Sequence, residues 1–112
     1  MIIAIIGLII GVLLGLYLPW TYPASFSLYV SVAILAALDS VFGALRANME
    51  NKFNTDIFIS GFFGNAILAA ILAYIGDRIG VPLYYAAIFA FGNRLFQNFA
   101  FIRRYIIEKF KA

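Results

Sequence analysis

Four apolar runs dominate this chain: 2–18, 27–46, 56–76 and 82–102. Each comes close to the ~20 predominantly apolar residues needed to cross the hydrocarbon core of a bilayer. No other feature limits the possible folds as strongly. Hydrophobic residues make up 65% of the sequence and charged residues 12%, against about 45–50% and 25% in ordinary globular domains. Such a chain cannot cover itself with polar surface, so its solvent must be partly lipid. The pattern predicts an all-α integral membrane protein with four transmembrane helices. It forms a single domain over 1–112, with 103–112 as a short basic cytoplasmic extension.

The connections carry turn and cap signals. "PWTYPASFS" has two prolines and ends in serines suited to capping the second helix. "RANMENKFNTD" is the markedly polar interior loop, with Asn54, Thr55 or Asp56 as the cap of helix three. "GDRIGVP" places Gly76 and Gly80 after helix three and Pro82 in the first turn of helix four. Residues 2–18 lack the basic leader of a secretion signal and exceed its usual apolar length of about 7–15 residues, so they read as a retained span.

Basic residues orient the bundle. With four spans, one side receives Arg46, Lys52, Arg103, Arg104, Lys109 and Lys111, and the other receives Arg78. Positive residues mark the cytoplasmic face, so both termini are expected inside the plasma membrane. Tyr17, Trp20, Tyr22, Tyr29, Tyr74, Tyr84 and Tyr85 fall near the opposite interface, where amphipathic rings prefer to sit. A net charge of +3 collected mostly at one end fits membrane topology rather than nucleic-acid binding.

The fourth run contains Asn93, Arg94, Gln97 and Asn98. A span ending near Gly92 would leave too few residues to cross. At 100° per residue, Asn93, Arg94, Gln97, Asn98, Arg104, Glu108 and Lys111 share an arc of about 140°. A continuous helix with one polar stripe is therefore expected, buried first and then emerging into the cytoplasm. A charge at the bilayer centre costs ~2.5–3.5 kcal/mol on insertion scales and normally finds a partner. Asp39 lies twelve residues beyond Ser27, and Arg94 twelve beyond Pro82. At ~1.5 Å per residue both reach the same depth. The expectation is an Asp39–Arg94 pair, with the guanidinium forked across the carboxylate and Asn65, Gln97 and Asn98 in the same polar cluster. Asn65 and Gln97 are expected to satisfy the leftover donors and acceptors. This cluster reads as a packing lock; as an alternative it would line an ion or solute pathway or form a protonation switch.

Small residues mark packing faces. Gly7, Gly11 and Gly15 repeat at spacing four on helix one, a GxxxG pattern open to a helix of the same chain or of another copy. Gly43 lies on the Asp39 face of helix two, which Arg46 shares. Gly61 and Gly64 lie on helix three with Ala66, Ala69, Ala70 and Ala73.

The residues for common site chemistry are missing. Without cysteine or histidine there is no disulfide, thiolate nucleophile, Cys/His zinc site or histidine acid–base pair. "LDSVFGALRAN" invites comparison with membrane phosphotransferases of cytidine-diphosphate lipids, but that chemistry needs several carboxylates around a metal, and Asp39 stands alone. No catalytic residue, metal or cofactor is assigned.

"LAALDSVFGALRA", "FISGFFGNAILA" and "IFAFGNRLFQNFAFIRR" together resemble the bacterial small basic protein family, found chiefly in Gram-positive lineages. The resemblance covers nearly the whole chain and implies a multi-spanning membrane protein. Genes of that family tend to lie near cell-division genes, so it also implies a link to division or envelope assembly. Asp39, Arg46, Asn65, Arg94, Gln97, Asn98, Arg103 and Arg104 match its recognisable motifs. The expected role is a non-enzymatic membrane scaffold or interaction partner, self-associating as a homo-oligomer or joining other membrane proteins. Its basic end is placed to touch anionic lipid headgroups. The competing expectation is a small oligomeric transporter or channel built on the Asp39/Arg94 core.

Overall fold

Apolar runs of this length bury their backbone polar groups most cheaply as helices, and helices are what the chain forms. A computed structural model describes residues 2–18, 21 and 23–111. Trp20 and Tyr22, two of the expected interface aromatics, lie outside the described residues. The helices are α1 (Ile2–Tyr17), α2 (Ser27–Met49), α3 (Thr55–Ile79) and α4 (Tyr84–Lys111), with no strand among the described residues. Two helices are long and apolar enough to cross a membrane: α2 with the short turn before it, and α3. α1 is equally apolar but has 16 residues, or ~24 Å of helix.

The helix ends follow local chemistry, with three departures from expectation. Asn54 caps α3, its Oδ1 accepting the Ile57 N–H at 3.1 Å, and Asp56 complements the positive end of the helix dipole. The serines before α2 cap nothing; α2 instead grows out of one 3₁₀ turn, Ala24–Phe26, whose own hydrogen bonds begin the winding. Gly76 lies inside α3, and the helix ends at Gly80, whose φ of 75° is the left-handed conformation that glycine adopts freely. Pro82 precedes α4, and its carbonyl accepts the Tyr85 N–H at 3.2 Å. α4 then runs unbroken for 28 residues, so 103–111 continues the helix.

α2 is the centre of the bundle. α3 and α4 both pack extensively on α2 and only slightly on each other. The core joins Val32 and Ala36 of α2 to Ala69 of α3 and to Ala87 and Phe91 of α4. Alanine on the inner faces allows close approach between helices. Ala69, Ala73 and Gly76 form the buried side of α3. Gly61 and Gly64 take no part in this packing, because no atom lies within 4 Å of where their Cβ would be.

α1 stands apart. None of its residues is buried, and nothing approaches within 4 Å of a Cβ placed on Gly7, Gly11 or Gly15. The GxxxG face is thus not spent on packing against the described residues. Large apolar side chains are also exposed along α3 and α4, including Ile67, Leu68, Ile71, Phe89 and Phe96.

Gly76 is the tightest point. An added Cβ would collide with the Val81 carbonyl oxygen and lie 2.9 Å from the Leu83 nitrogen, both backbone atoms that cannot swing aside. Gly76→Ala should therefore destabilise the protein by about 1–3 kcal/mol. Gly64→Ala, into open space on an exposed helix face, should stabilise it by up to about 1 kcal/mol. Thermal unfolding in detergent reads both; equal shifts would contradict this close approach.

Candidate functional site: a polar seam on the second and fourth helices

Three contacts fix how α4 lies on α2. Asp39 meets Arg94, Gly43 meets Asn98, and Arg46 meets Phe101. All three pairs share an offset of 55 residues, and a constant offset means parallel helices advancing in step. Asp39 and Arg94 therefore share a depth, as their equal distances from Ser27 and Pro82 predict.

Asp39 is fully buried, with 0% of its side chain exposed, whereas the Arg94 side chain is 55% exposed. Arg94 Nε lies 3.5 Å from Asp39 Oδ1. The expected fork is not formed, and neither Asp39 oxygen receives a hydrogen bond among the described residues. The buried Ser40 hydroxyl is likewise unpartnered. Asn65 lines a cavity beside the pair instead of bonding to it. Gln97 is exposed, as is Asn93.

Helix geometry explains this difference. With Asn93 at zero and 100° per residue, the buried Ala87, Asn98, Phe91 and Ile102 fall between about 120° and 180°. Asn93, Gln97, Arg104, Glu108 and Lys111 fall between about 0° and 60°, and Arg94 at about 100°. The polar stripe is thus turned away from the packed face and meets it at Arg94 and Asn98.

A second polar contact lies further along the seam. Arg46 Nη1 donates to Asn98 Oδ1 at 3.4 Å, Arg46 Nε lies 3.7 Å from Glu50 Oε1, and the guanidinium sits 4.5 Å from the centre of the Phe101 ring. Arg46, expected as a cytoplasmic anchor, thus ties α2 to α4. Its spacing of seven from Asp39 was the available signal. Phe42 and Phe99 add an edge-to-face contact at 6.5 Å on the same interface.

The diverging α3 and α4 leave a cavity of about 230 Å³ against α2. Asp39, Ser40, Asn65 and Arg94 line its inner end, and Lys52, Phe53 and Asn54 its end at the α2–α3 loop. Gly43 and Gly61 form part of its wall. Sequence reasoning missed Ser40, Phe53 and Asn54 here, because nothing in their spacing marks a gap between helices. Arg103, Arg104, Lys109 and Lys111 are exposed on α4.

Fold and seam define a small all-helical protein in which three helices share a mostly apolar core crossed by one buried acid and two arginines. The chain belongs to the family described as protein of unknown function DUF1290, whose model matches residues 22–107. It is 47% identical to the small basic protein of Bacillus subtilis over 109 residues, covering 97% of this chain and 90% of that one. Uncharacterized proteins of Mycobacterium tuberculosis and Mycobacterium bovis are 44% identical over 78 residues, covering 68% of this chain and 64% of theirs. No solved structure matches the chain.

Truncating one member of the Asp39–Arg94 pair leaves the other without its partner. Asp39→Ala and Arg94→Ala should each lower unfolding stability, and the double variant should lose less than their sum, with a coupling of about 0.5–1.7 kcal/mol. Arg46→Ala and Asn98→Ala should couple more weakly, through one hydrogen bond. Strict additivity at Asp39 and Arg94 would show that their contact contributes nothing.

Proposed function

We propose that this is a multi-pass plasma-membrane protein that crosses the bilayer four times with both termini in the cytoplasm. It acts without catalysis, as a scaffold or interaction partner. The observation that carries the reading is α1: a helix apolar on every face, with no buried residue, whose Gly7–Gly11–Gly15 groove meets nothing among the described residues. Lipid suits such a surface, and glycines at spacing four allow close approach by another membrane helix.

The parallel α2 and α4, with α3 returning between them, support alternating crossings. In that arrangement the end of α2, the 50–54 turn and the end of α4 share one side, which holds all basic residues except Arg78 and the mid-span Arg94. By the offset of 55, Met49 is level with Arg104, so the last turns of α4 project beyond α2. Arg103, Arg104, Lys109 and Lys111 are then placed at anionic headgroups. The likeness to the Bacillus subtilis small basic protein supports, through the family's genetic neighbourhood, a role in cell division or envelope biogenesis. The cavity beside Asp39 favours a second reading, a small oligomeric transporter or channel.

The chain has no cysteine, so single-cysteine variants report cleanly. Lys52→Cys should react with an impermeant thiol reagent only after the membrane is opened, and Arg78→Cys in intact cells; equal labelling would refute the topology. Gly11→Leu should keep its folded yield while losing crosslinks to its partners in native membranes. Unchanged crosslinks would remove the scaffold face. Ion or solute flux in proteoliposomes, abolished by Asp39→Asn, would replace the scaffold reading with the pathway.

A further inference from the structure

The cavity between α3 and α4 is electrically lopsided. Its acid, Asp39, is sealed at the inner end with 0% of its side chain exposed. Its two bases are accessible: Arg94 is 55% exposed, and Lys52 is exposed at the loop end. The one salt-bridge contact of Arg94 goes through Nε. The two terminal nitrogens of the guanidinium have no hydrogen-bond partner among the described residues, and as a pair they can fork end-on across two phosphate oxygens. Asp39 thus acts as a positioning residue, holding one edge of Arg94 and leaving the other edge free. The field in the cavity is positive and selects an anion.

The neutral lining narrows the choice. Asn65 lines the wall and has no side-chain hydrogen bond among the described residues, whereas the Ser40 hydroxyl is sealed from the cavity. An amide offers both donor and acceptor, which suits alcohols. The volume of about 230 Å³ exceeds what a bare phosphate needs and leaves room for a short polyol. Apolar wall residues such as Ala44, Ile57 and Phe58 exclude a heavily charged ligand.

We propose that this cavity binds a small phosphorylated polyol with the chemistry of glycerol phosphate, either free in solution or as the headgroup of an anionic lipid. Lys52 draws the anion to the mouth, Arg94 holds the phosphate, and Asn65 takes the hydroxyls. The site needs no metal and no second copy of the chain, and it stands independently of the membrane topology.

The full-length protein in detergent tests this by calorimetric titration with glycerol 3-phosphate and with inorganic phosphate. Native mass spectrometry, after exchange into phosphatidylglycerol or phosphatidylcholine, tests the lipid form. Saturable binding of glycerol 3-phosphate identifies a free ligand; selective retention of phosphatidylglycerol without it identifies the headgroup. In whichever arm binds, Arg94→Gln should weaken affinity about tenfold or more, Asn65→Ala and Lys52→Ala less, and Lys111→Ala not at all. Lys52 is exposed and makes no side-chain hydrogen bond or ion pair among the described residues, so its variant should fold and keeps the test valid if Arg94→Gln fails to fold. Binding in neither arm, or binding equally strong in Lys52→Ala, overturns the proposal. Inorganic phosphate binding as tightly as glycerol 3-phosphate overturns the polyol assignment.

Discussion

An ionised carboxylate with no exposed surface is costly unless positive charge answers it at its own depth, and the placement of α4 supplies that charge. Asp39 sits on the face of α2 that α4 covers, and Arg94 is the base that reaches it. An ionised acid left alone in a low-dielectric interior costs several kcal/mol, so a slip of one helical turn between α2 and α4 would be strongly opposed. Apolar packing is a poor substitute for this constraint. Where lipid is the solvent its chains are as apolar as leucine, so burial alone would set no register between two such helices. The contacts of Arg46 with Asn98 and Phe101 keep the same offset further along, which makes the alignment over-determined.

The alanines let this polar contact form. Ala36, Ala69 and Ala87 are the small members of a core that also holds Val32 and Phe91, and they bring the three helix backbones close together. Gly76 does the same at the α3–α4 connection, where Val81 and Leu83 press against its Cα. That end is pinned, so α3 and α4 diverge toward the other, and the cavity beside Asp39 follows from the divergence.

Helix number and approximate ends were legible because long apolar runs have one low-energy form in lipid and because Asn54 and Gly80 carry strong end signals. The shared depth of Asp39 and Arg94 was legible because two parallel helices rise at the same rate. The angular arrangement was not. An arc of polar residues says which side chains lie together on α4, but it does not say where the packed face is centred. That centre is set by Ala87, Phe91 and Ile102 against α2, and it leaves Gln97 and Asn93 outside while Asn98 goes in. Asn65 could be placed at the right depth from α3 alone, yet the splay of α3 from α4 separates it from a direct bond. The glycines of α1 announced a packing face without a partner, since spacing cannot distinguish a helix of the same chain from a helix of another.

The same splay bears on whether the polar seam is a lock or a path. A second cavity of about 220 Å³ lies at the opposite end of the bundle, against Leu28, Gly76, Asp77 and Tyr84. Between the two cavities lie Val32, Ala36, Ala69, Ala87 and Phe91, the buried apolar cluster that joins the three helices. A solute crossing a single copy would have to displace Phe91 and part the alanine contacts that hold the three helices together, a change to the core itself rather than to a side-chain gate. A cavity separated by that core from the opposite end of the bundle instead suits a ligand that enters and leaves on the same side. The charges that set the register of α2 and α4 would then also form the floor of the site, so occupancy and helix packing would be coupled through one ion pair.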